Sequence, residues 1–538
     1  MSAAVIIQLQ HLITSEQVSR VDIEAVSQLV DMSTISVSLA PYTSALAAMA
    51  LTMQAFRDGH ACLDLASVVA HDPDSVRDSL LSLPQLVATQ ETADALPRPP
   101  FVCDGDLLYL SRVYDEERAV AQQLLADNAS RITIVLGGPG TGKTRYVAEY
   151  LRQLPDNEVP AIALCAPTGK ASQHLKSVLD ARLREAKASD AVLEALSFAP
   201  SVTTHKLLGY APGRTPRFRF GAREHLPYSL VIVDEASMLS LSMMHRLLVA
   251  LRSDAHLWLV GDPDQLASVE AGSVLADIAK GAERITSPLH ERREVLTKQY
   301  RFSSDSVIAA LAAAVRDGDV VTVRTILQTP SSEFTWIDPH EHQDELAELG
   351  KLVIAHSLSI QEAAADGNAS LALARKAEMQ VLSATREGRL GVRDWNQLVE
   401  TGLGPDTTQR WYVGRPVLVT RNDSSTGLSN GDVGIVCNVD GQLRAYFGDP
   451  NAPTSISLAR LPDTDTVHAL TIHKSQGSEY NHAIVVMPEA GSRIVTRELL
   501  YTGITRPQRK LTLVGSLAAI ERAVNTPIRR ATGLANRL

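Results

Sequence analysis

Residues 137–144 read GGPGTGKT, a glycine-rich run that ends in lysine and threonine at the spacing G-x-x-x-x-G-K-[ST]. Glycines at this density let successive backbone N–H groups turn toward an anion, so Gly137, Gly138, Pro139, Gly140, Thr141 and Gly142 form a cradle for phosphates. Lys143 would reach the β- and γ-phosphates as a point charge, and the Thr144 hydroxyl would ligate Mg2+. Residues 230–237, LVIVDEAS, supply the acids that such a loop requires: Asp234 for the Mg2+ shell and Glu235 as general base toward an attacking water. A DE pair alone is a common surface feature. At the tip of an apolar strand, downstream of a phosphate loop, it points to hydrolysis of ATP. Gln265, in VGDPDQLASVEAG, stands where an amide can sense the γ-phosphate. Arg301 in KQYRF and Arg506 in LLYTGITRPQRK can stabilise charge on the transferring phosphoryl group. Each arginine taken singly is more commonly a surface residue; together, and in this order, they would make closure of two domains depend on ATP.

These side chains need rigid elements to hold them. The apolar runs ITIVL (132–136), AIALCA (161–166), LVIVD (230–234) and HLWLV (256–260) each end in a polar or glycine-rich cluster, and helical patterns separate them. They read as buried parallel strands of an α/β sheet with chemistry at their C-terminal ends. QVLSA (380–384), HALTI (468–472), AIVVM (483–487) and LTLVG (511–515) predict a second such sheet. Inside the second set, residues 408–462 change texture to short runs broken by Gly and Asn turns, which predicts a small inserted β-barrel. Residues 1–113 read as a mainly helical domain for docking a partner, with LPRPPF (96–101) as a linker that prolines keep out of a helix. The expected division is 1–113, 114–290, 291–407, 408–462 and 463–538. Trp258, inside HLWLV, is expected in the core.

Composition excludes several classes. Among 538 residues, 51 Lys and Arg stand against 61 Asp and Glu, so any nucleic acid must be held in a local groove and not on a globally basic surface. The four cysteines, Cys62, Cys103, Cys165 and Cys437, lie too far apart for a zinc cluster or a disulfide framework. The N-terminal MSAAVIIQLQHLITSEQ lacks the basic start and small-residue cleavage site of a signal peptide, and no run reaches the length of a membrane span. A cytoplasmic protein is expected. No acid–acid–lysine cluster of a nuclease occurs at a strand end.

The motifs GGPGTGKT, LCAPTGKAS, TTHKLLG, VIVDEASM, VGDPDQLASVEAG, QYRF, GRPVLVTRNDSSTGLSNGDVGI, TIHKSQGSEY and RELLYTGITRP follow the order of superfamily 1 helicases. Over residues 107–538 their wording resembles the RecD family, the α subunits of RecBCD-type helicase–nucleases (exodeoxyribonuclease V). The resemblance implies an α/β fold of two RecA-like P-loop domains, with a small barrel in the second, and ATP-driven 5′→3′ translocation on single-stranded DNA. It implies RecB-like and RecC-like partner subunits, the nuclease lying on a partner, and work on double-strand DNA ends in recombinational repair and DNA degradation. The family's DNA-contacting motifs fall on Pro167, Thr168 and Lys170, on Thr203 and His205, and on Thr471, His473, Lys474, Ser475 and Gln476. Hydroxyls, amides and loop N–H groups of this kind hold phosphates without reading bases. Taken alone, His205 and His473 fit packing roles better.

Two features depart from the family pattern. Members usually place an adenine-reading glutamine further ahead of the first glycine than Gln122 and Gln123 stand here, and more often have alanine where Pro507 follows Arg506. Two other readings compete with the motor subunit: a standalone 5′→3′ helicase of the same superfamily, and a catalytically weakened subunit kept for assembly. The leucine- and alanine-rich N-terminal region, poor in basic residues, favours protein docking over the DNA-binding modules of standalone relatives.

Overall fold

Burial on both faces explains why the central strands of the two parallel sheets are short, continuous apolar runs. The computed structural model describes residues 9, 18–33, 42–67, 72–126, 131–211, 217–302, 305–423 and 425–538, so most of the N-terminal MSAAVIIQLQHLITSEQ stretch lies outside the described residues. The first four strands, β1 (Cys62–Asp64), β2 (Val87–Thr89), β3 (Phe101–Asp104) and β4 (Leu107–Leu110), form a sheet in the order β1-β4-β3-β2. Helices Arg20–Met32, Thr43–Arg57 and Pro73–Leu81 share its apolar core. The region expected to be mainly helical is therefore mixed: strands of three or four residues are too short for a period-two pattern to show.

The phosphate loop belongs to a six-stranded, all-parallel sheet made of β5 (Ile132–Leu136), β6 (Ile162–Ala166), β7 (Ser201–Thr203), β8 (Leu230–Val233), β9 (His256–Gly261) and β10 (Arg293–Val295). Its order is β10-β5-β9-β8-β6-β7. Helices Lys143–Arg152, Gly169–Glu185 and Asp190–Phe198 share a core with one face, and Ser111–Leu125, Leu241–Ala250 and Val274–Gly281 with the other. Trp258 is 4% exposed, with the rings of Tyr146 and Tyr150 against it, as expected of a core residue. β10 lies past the expected boundary at 290/291, and pairs with β5, so the first sheet recruits its edge strand from beyond that point.

A second parallel sheet comprises β11 (Phe334–Ile337), β12 (Met379–Ser383), β18 (Ala469–Thr471), β19 (Tyr480–Val486) and β20 (Pro507–Val514), in the order β11-β20-β19-β12-β18. Between β12 and β18 the chain builds a five-stranded antiparallel sheet: β13 (Pro416–Val419), β14 (Val433–Val439), β15 (Gln442–Phe447), β16 (Thr454–Ser457) and β17 (Thr464–Thr466). Its order, β16-β15-β14-β13-β17, leaves β16 and β17 as unpaired edges, so the sheet is open where a barrel was expected. β17, of three residues, pairs with β13 on one side before the chain turns into β18.

Residues 530–538 cross back to the first sheet. Leu534 and Leu538 join the core beneath its helices. Arg530 donates to the carbonyls of Ser268 (2.6 Å), Glu270 (2.9 Å) and Gly272 (2.8 Å). Glu117, fully buried on helix Ser111–Leu125, accepts from Tyr109 Oη (3.0 Å), Thr532 Oγ1 (2.9 Å), Gly533 N (3.2 Å) and Arg537 Nε (3.1 Å). Four donors satisfy a carboxylate that burial alone would penalise. Glu117→Ala leaves Arg537 with Asp104 as its remaining carboxylate and strands three other donors, so it is expected to cost about 3 kcal/mol, seen as a lower urea midpoint for the first unfolding transition.

Candidate active site

The loop after β5 passes into helix Lys143–Arg152 through two left-handed glycines, Gly140 (φ 79°) and Gly142 (φ 86°). Neither tolerates a side chain: a Cβ on Gly140 would lie 2.6 Å from Arg301 Cβ, and one on Gly142 3.0 Å from the Tyr300 ring. The loop is fastened at both flanks, by Gly137 N donating to Gly261 O (3.2 Å) and Tyr300 N donating to Gly140 O (2.8 Å). Lys143 Nζ donates to the carbonyls of Gly137 (2.7 Å) and Gly138 (3.1 Å). The ammonium is thus held over the cradle, within reach of an incoming phosphate.

β8 delivers the acids. Asp234 Oδ1 accepts from Glu235 N at 2.9 Å, and Glu235, with a left-handed backbone (φ 51°), lines the cleft. Burial, and then the neighbouring Glu235 charge, push the Asp234 carboxyl up to about 7, while Lys143 opposes the shift. A buried carboxylate so placed lacks cationic charge. Asp234 and Thr144 present hard oxygen donors to the same cleft and fit a magnesium ion in donor chemistry. That cleft, about 330 Å³, is lined by Lys143, Thr144, Asp234, Glu235, Gln265, Arg301 and Arg506 together. All seven side chains assigned to phosphate, metal and water therefore meet in one place, although 363 positions separate the first from the last. Gln122 is exposed and Gln123 half-buried on helix Ser111–Leu125; neither lines the cleft.

The far wall comes from the second parallel sheet, and it grips one short segment of the first. Tyr501 donates its hydroxyl to the Asp262 carboxylate. Arg506 Nη2 donates to Gln265 Oε1 (2.8 Å), whose amide in turn donates to Asp262 Oδ2 (3.0 Å). Thr502 Oγ1 accepts from Leu266 N (2.9 Å), and Gln476 Nε2 donates to Leu266 O (2.9 Å). Tyr501, Thr502 and Arg506 come from helix Arg497–Ile504 and the turn after it, and one helical turn separates Thr502 from Arg506. Arg301 reaches the same second unit, donating to Glu479 and to Thr505 O (3.3 Å).

The residues expected to touch DNA fall into three groups. His205, His473 and Lys474 are exposed. Lys474 Nζ pairs with Asp465 at 3.1 Å, and the His205 ring packs edge-on to Tyr210 at 5.4 Å between centroids. Pro167, Thr168, Lys170, Thr203 and Thr471 are half-buried, and Thr168 and Thr203 cap the helices that follow them by accepting from Ala171 N and Lys206 N. Burial draws the Lys170 ammonium below its usual range, against the pull of Asp432 on the inserted sheet. Ser475 and Gln476 depart from the expectation. Both are buried; Ser475 Oγ donates to Ile472 O (2.7 Å), and Gln476 belongs to the grip on Leu266. A short turn after β18 directs them into the protein.

Residues 113–331 match the family described as AAA domain, and residues 466–514 match the UvrD-like helicase C-terminal domain. A RecBCD enzyme subunit RecD of Mycolicibacterium smegmatis is 37% identical over 549 residues, covering 93% of this chain and 94% of the relative. The chain belongs to the RecD family. A second subunit RecD, of Mycobacterium tuberculosis, is 38% identical over 536 residues, with 91% of this chain and 90% of the relative covered. An ATP-dependent RecD2 DNA helicase of Deinococcus radiodurans is 29% identical over 414 residues, but these cover 75% of this chain and only 49% of that protein.

Several site residues of this RecD-family chain escaped the sequence reading. Tyr501, Thr502 and Glu479 sit inside motifs already recognised, yet nothing in their types announces a partner more than 170 positions away. Asp262 lies three residues before Gln265 and shares its turn, which is a local signal that was available. A Cβ on Gly138 would meet Tyr501 Oη at 2.9 Å. Gly138→Ala is therefore expected to destabilise by about 1–3 kcal/mol, and Tyr501→Phe in the same chain to restore most of the loss, measured by thermal unfolding of both variants.

Proposed function

We propose that this chain is the 5′→3′ motor subunit of a RecBCD-type helicase–nuclease: a DNA-dependent ATPase that moves along single-stranded DNA from double-strand ends beside RecB-like and RecC-like subunits, in the cytoplasm. The observation that supports it is the single cleft in which a phosphate loop from one parallel sheet faces Arg506 from the other, with Arg301 on the connection between the two sheets reaching across to Glu479. Its units are residues 1–113 for docking, a first RecA-like domain beginning near 114, and a second one interrupted by the antiparallel sheet. Match to nearly the full length of the RecD subunits, against half of the RecD2 helicase, favours the subunit over a standalone enzyme. The complete set of cleft residues favours an active motor over an assembly relic.

In this reading Lys143 exchanges the Gly137 and Gly138 carbonyls for β- and γ-phosphate oxygens, and Glu235 takes a proton from the attacking water. Thr144 and Asp234 would hold Mg2+, which supplies charge neutralisation across the phosphates. Arg301 and Arg506 leave Glu479 and Gln265 to meet the developing charge, so the two sheets can approach only when a triphosphate lies between them. Phosphates of the single strand lie along Thr168, Thr203, His205, His473 and Lys474, a path suited to sequence-independent hold.

Lys143→Gln is expected to abolish DNA-stimulated ATP turnover with the fold intact. Glu235→Gln should keep nucleotide binding while turnover falls about 100- to 10,000-fold, in steady-state and equilibrium-binding assays on the same preparations. Turnover in Lys143→Gln would refute the assignment. Lys474→Ala should weaken single-stranded DNA binding alike on all sequences and lower the salt slope by about one, whereas Asp465→Asn, by freeing Lys474, should tighten it.

A further inference from the structure

Behind the nucleotide cleft lies a second cavity, of about 420 Å³, lined by Ser237, Ser273, Asp277, Lys280, Arg529 and Arg530. The two spaces share one side chain, Gln265, which lines both. Ser237 stands two residues past Glu235, on the opposite side of the buried Ala236. Two polar atoms in this cavity have no protein partner: Ser237 Oγ, on a residue 4% exposed, and Asp277 Oδ2, on a residue 8% exposed. Orphaned buried oxygens of this kind call for a polar occupant. Arg530 is already engaged by three backbone carbonyls, but Lys280 and Arg529 are exposed cations at the cavity's rim.

We propose that this cavity is the outlet for inorganic phosphate, passed from the nucleotide cleft when the Gln265 side chain swings aside. The inference rests on the hydrolytic reading above. Inorganic phosphate suits the lining better than a DNA phosphodiester does. Near neutral pH it carries both acceptor oxygens, for the Ser237 hydroxyl, and a proton to donate to Asp277; a phosphodiester has no such proton. One hydrogen-bonded side chain, Gln265, stands between the two spaces and lines both. Gln265 is held by Arg506 on Oε1 and by Asp262 on Nε2, so recruitment of Arg506 to the phosphoryl group removes the donor to Oε1. ADP, larger and seated on the phosphate loop, would still block the front of the cleft when the wall loosens. Lys280 and Arg529 then draw the anion outward, and the Glu498 carboxylate, which accepts from Ile528 N at 2.8 Å on the facing side, keeps it from binding too tightly.

The test compares cleavage with release in single turnovers of the full chain on saturating single-stranded DNA. Acid quench reads ATP cleavage, and a fluorescent phosphate sensor reads free phosphate. The variants are Ala276→Phe, which fills the cavity from helix Val274–Gly281, and the doubly exposed pair Lys280→Ala with Arg529→Ala, which leaves packing untouched. Cleavage is expected to stay within about twofold of the parent, while release slows about tenfold in Ala276→Phe and several-fold in the charge pair. Release that keeps pace with cleavage in both variants overturns the outlet. So does slowing of cleavage and release together, which would mark the cavity as part of the chemical site. Should the parent chain cleave no ATP on DNA, the hydrolytic reading falls and takes the outlet with it, a result distinct from the first two.

Discussion

Five residues, 262–266, hang between two sheets, and most of what the molecule does depends on how they are held. Asp262, Gln265 and both backbone polar groups of Leu266 are each bonded to a side chain of the second unit. These bonds are buried, so each is worth more than its surface counterpart and costs more to leave unmade. Water cannot replace them one at a time. The segment therefore behaves as a joint with a small number of discrete settings, and a change at the phosphate end is transmitted because partial settings leave buried donors unpaired.

On the proposed reading, the same segment would link phosphate to nucleic acid over a short distance. Gln476 belongs to the turn that also bears His473 and Lys474, and its amide is bonded to the residue next to Gln265. A displacement of the exposed part of that turn moves a hydrogen bond one residue from the cleft-lining Gln265. No long pathway is needed: one turn and one strand tip suffice. Arg301, answering to Glu479 in the same loop region, supplies a second connection.

The residues of the candidate cleft were largely legible in the sequence because local patterns mark them. A phosphate loop needs glycines at fixed offsets, and the acids and Gln265 stand at the ends of apolar runs, so type and spacing identify them. Eight strands of the two parallel sheets were legible for the same reason. What was not legible depends on distant pairing. β10 has three residues, REV, with no apolar pattern, and is a strand only because β5 offers it an edge. Ser475 and Gln476 share a motif with exposed neighbours, and only the turn after β18 shows that they point inward. The four-stranded N-terminal sheet was hidden by the brevity of its strands, and the return of residues 530–538 to the first sheet left no local mark at all.

That return has a consequence for how the protein is made. During synthesis the first parallel sheet emerges long before residues 530–538, yet Leu534 and Leu538 cover part of its helical face, and Thr532, Gly533 and Arg537 are among the donors that satisfy Glu117. Until those residues leave the ribosome, the nucleotide-binding half has an uncovered apolar surface and a carboxylate short of three donors. It is then held in a provisional state open to chaperones. Completion of the N-terminal half thus waits on the arrival of the C-terminal half, so a chain truncated before 530 should be an assembly hazard and not merely a shorter enzyme.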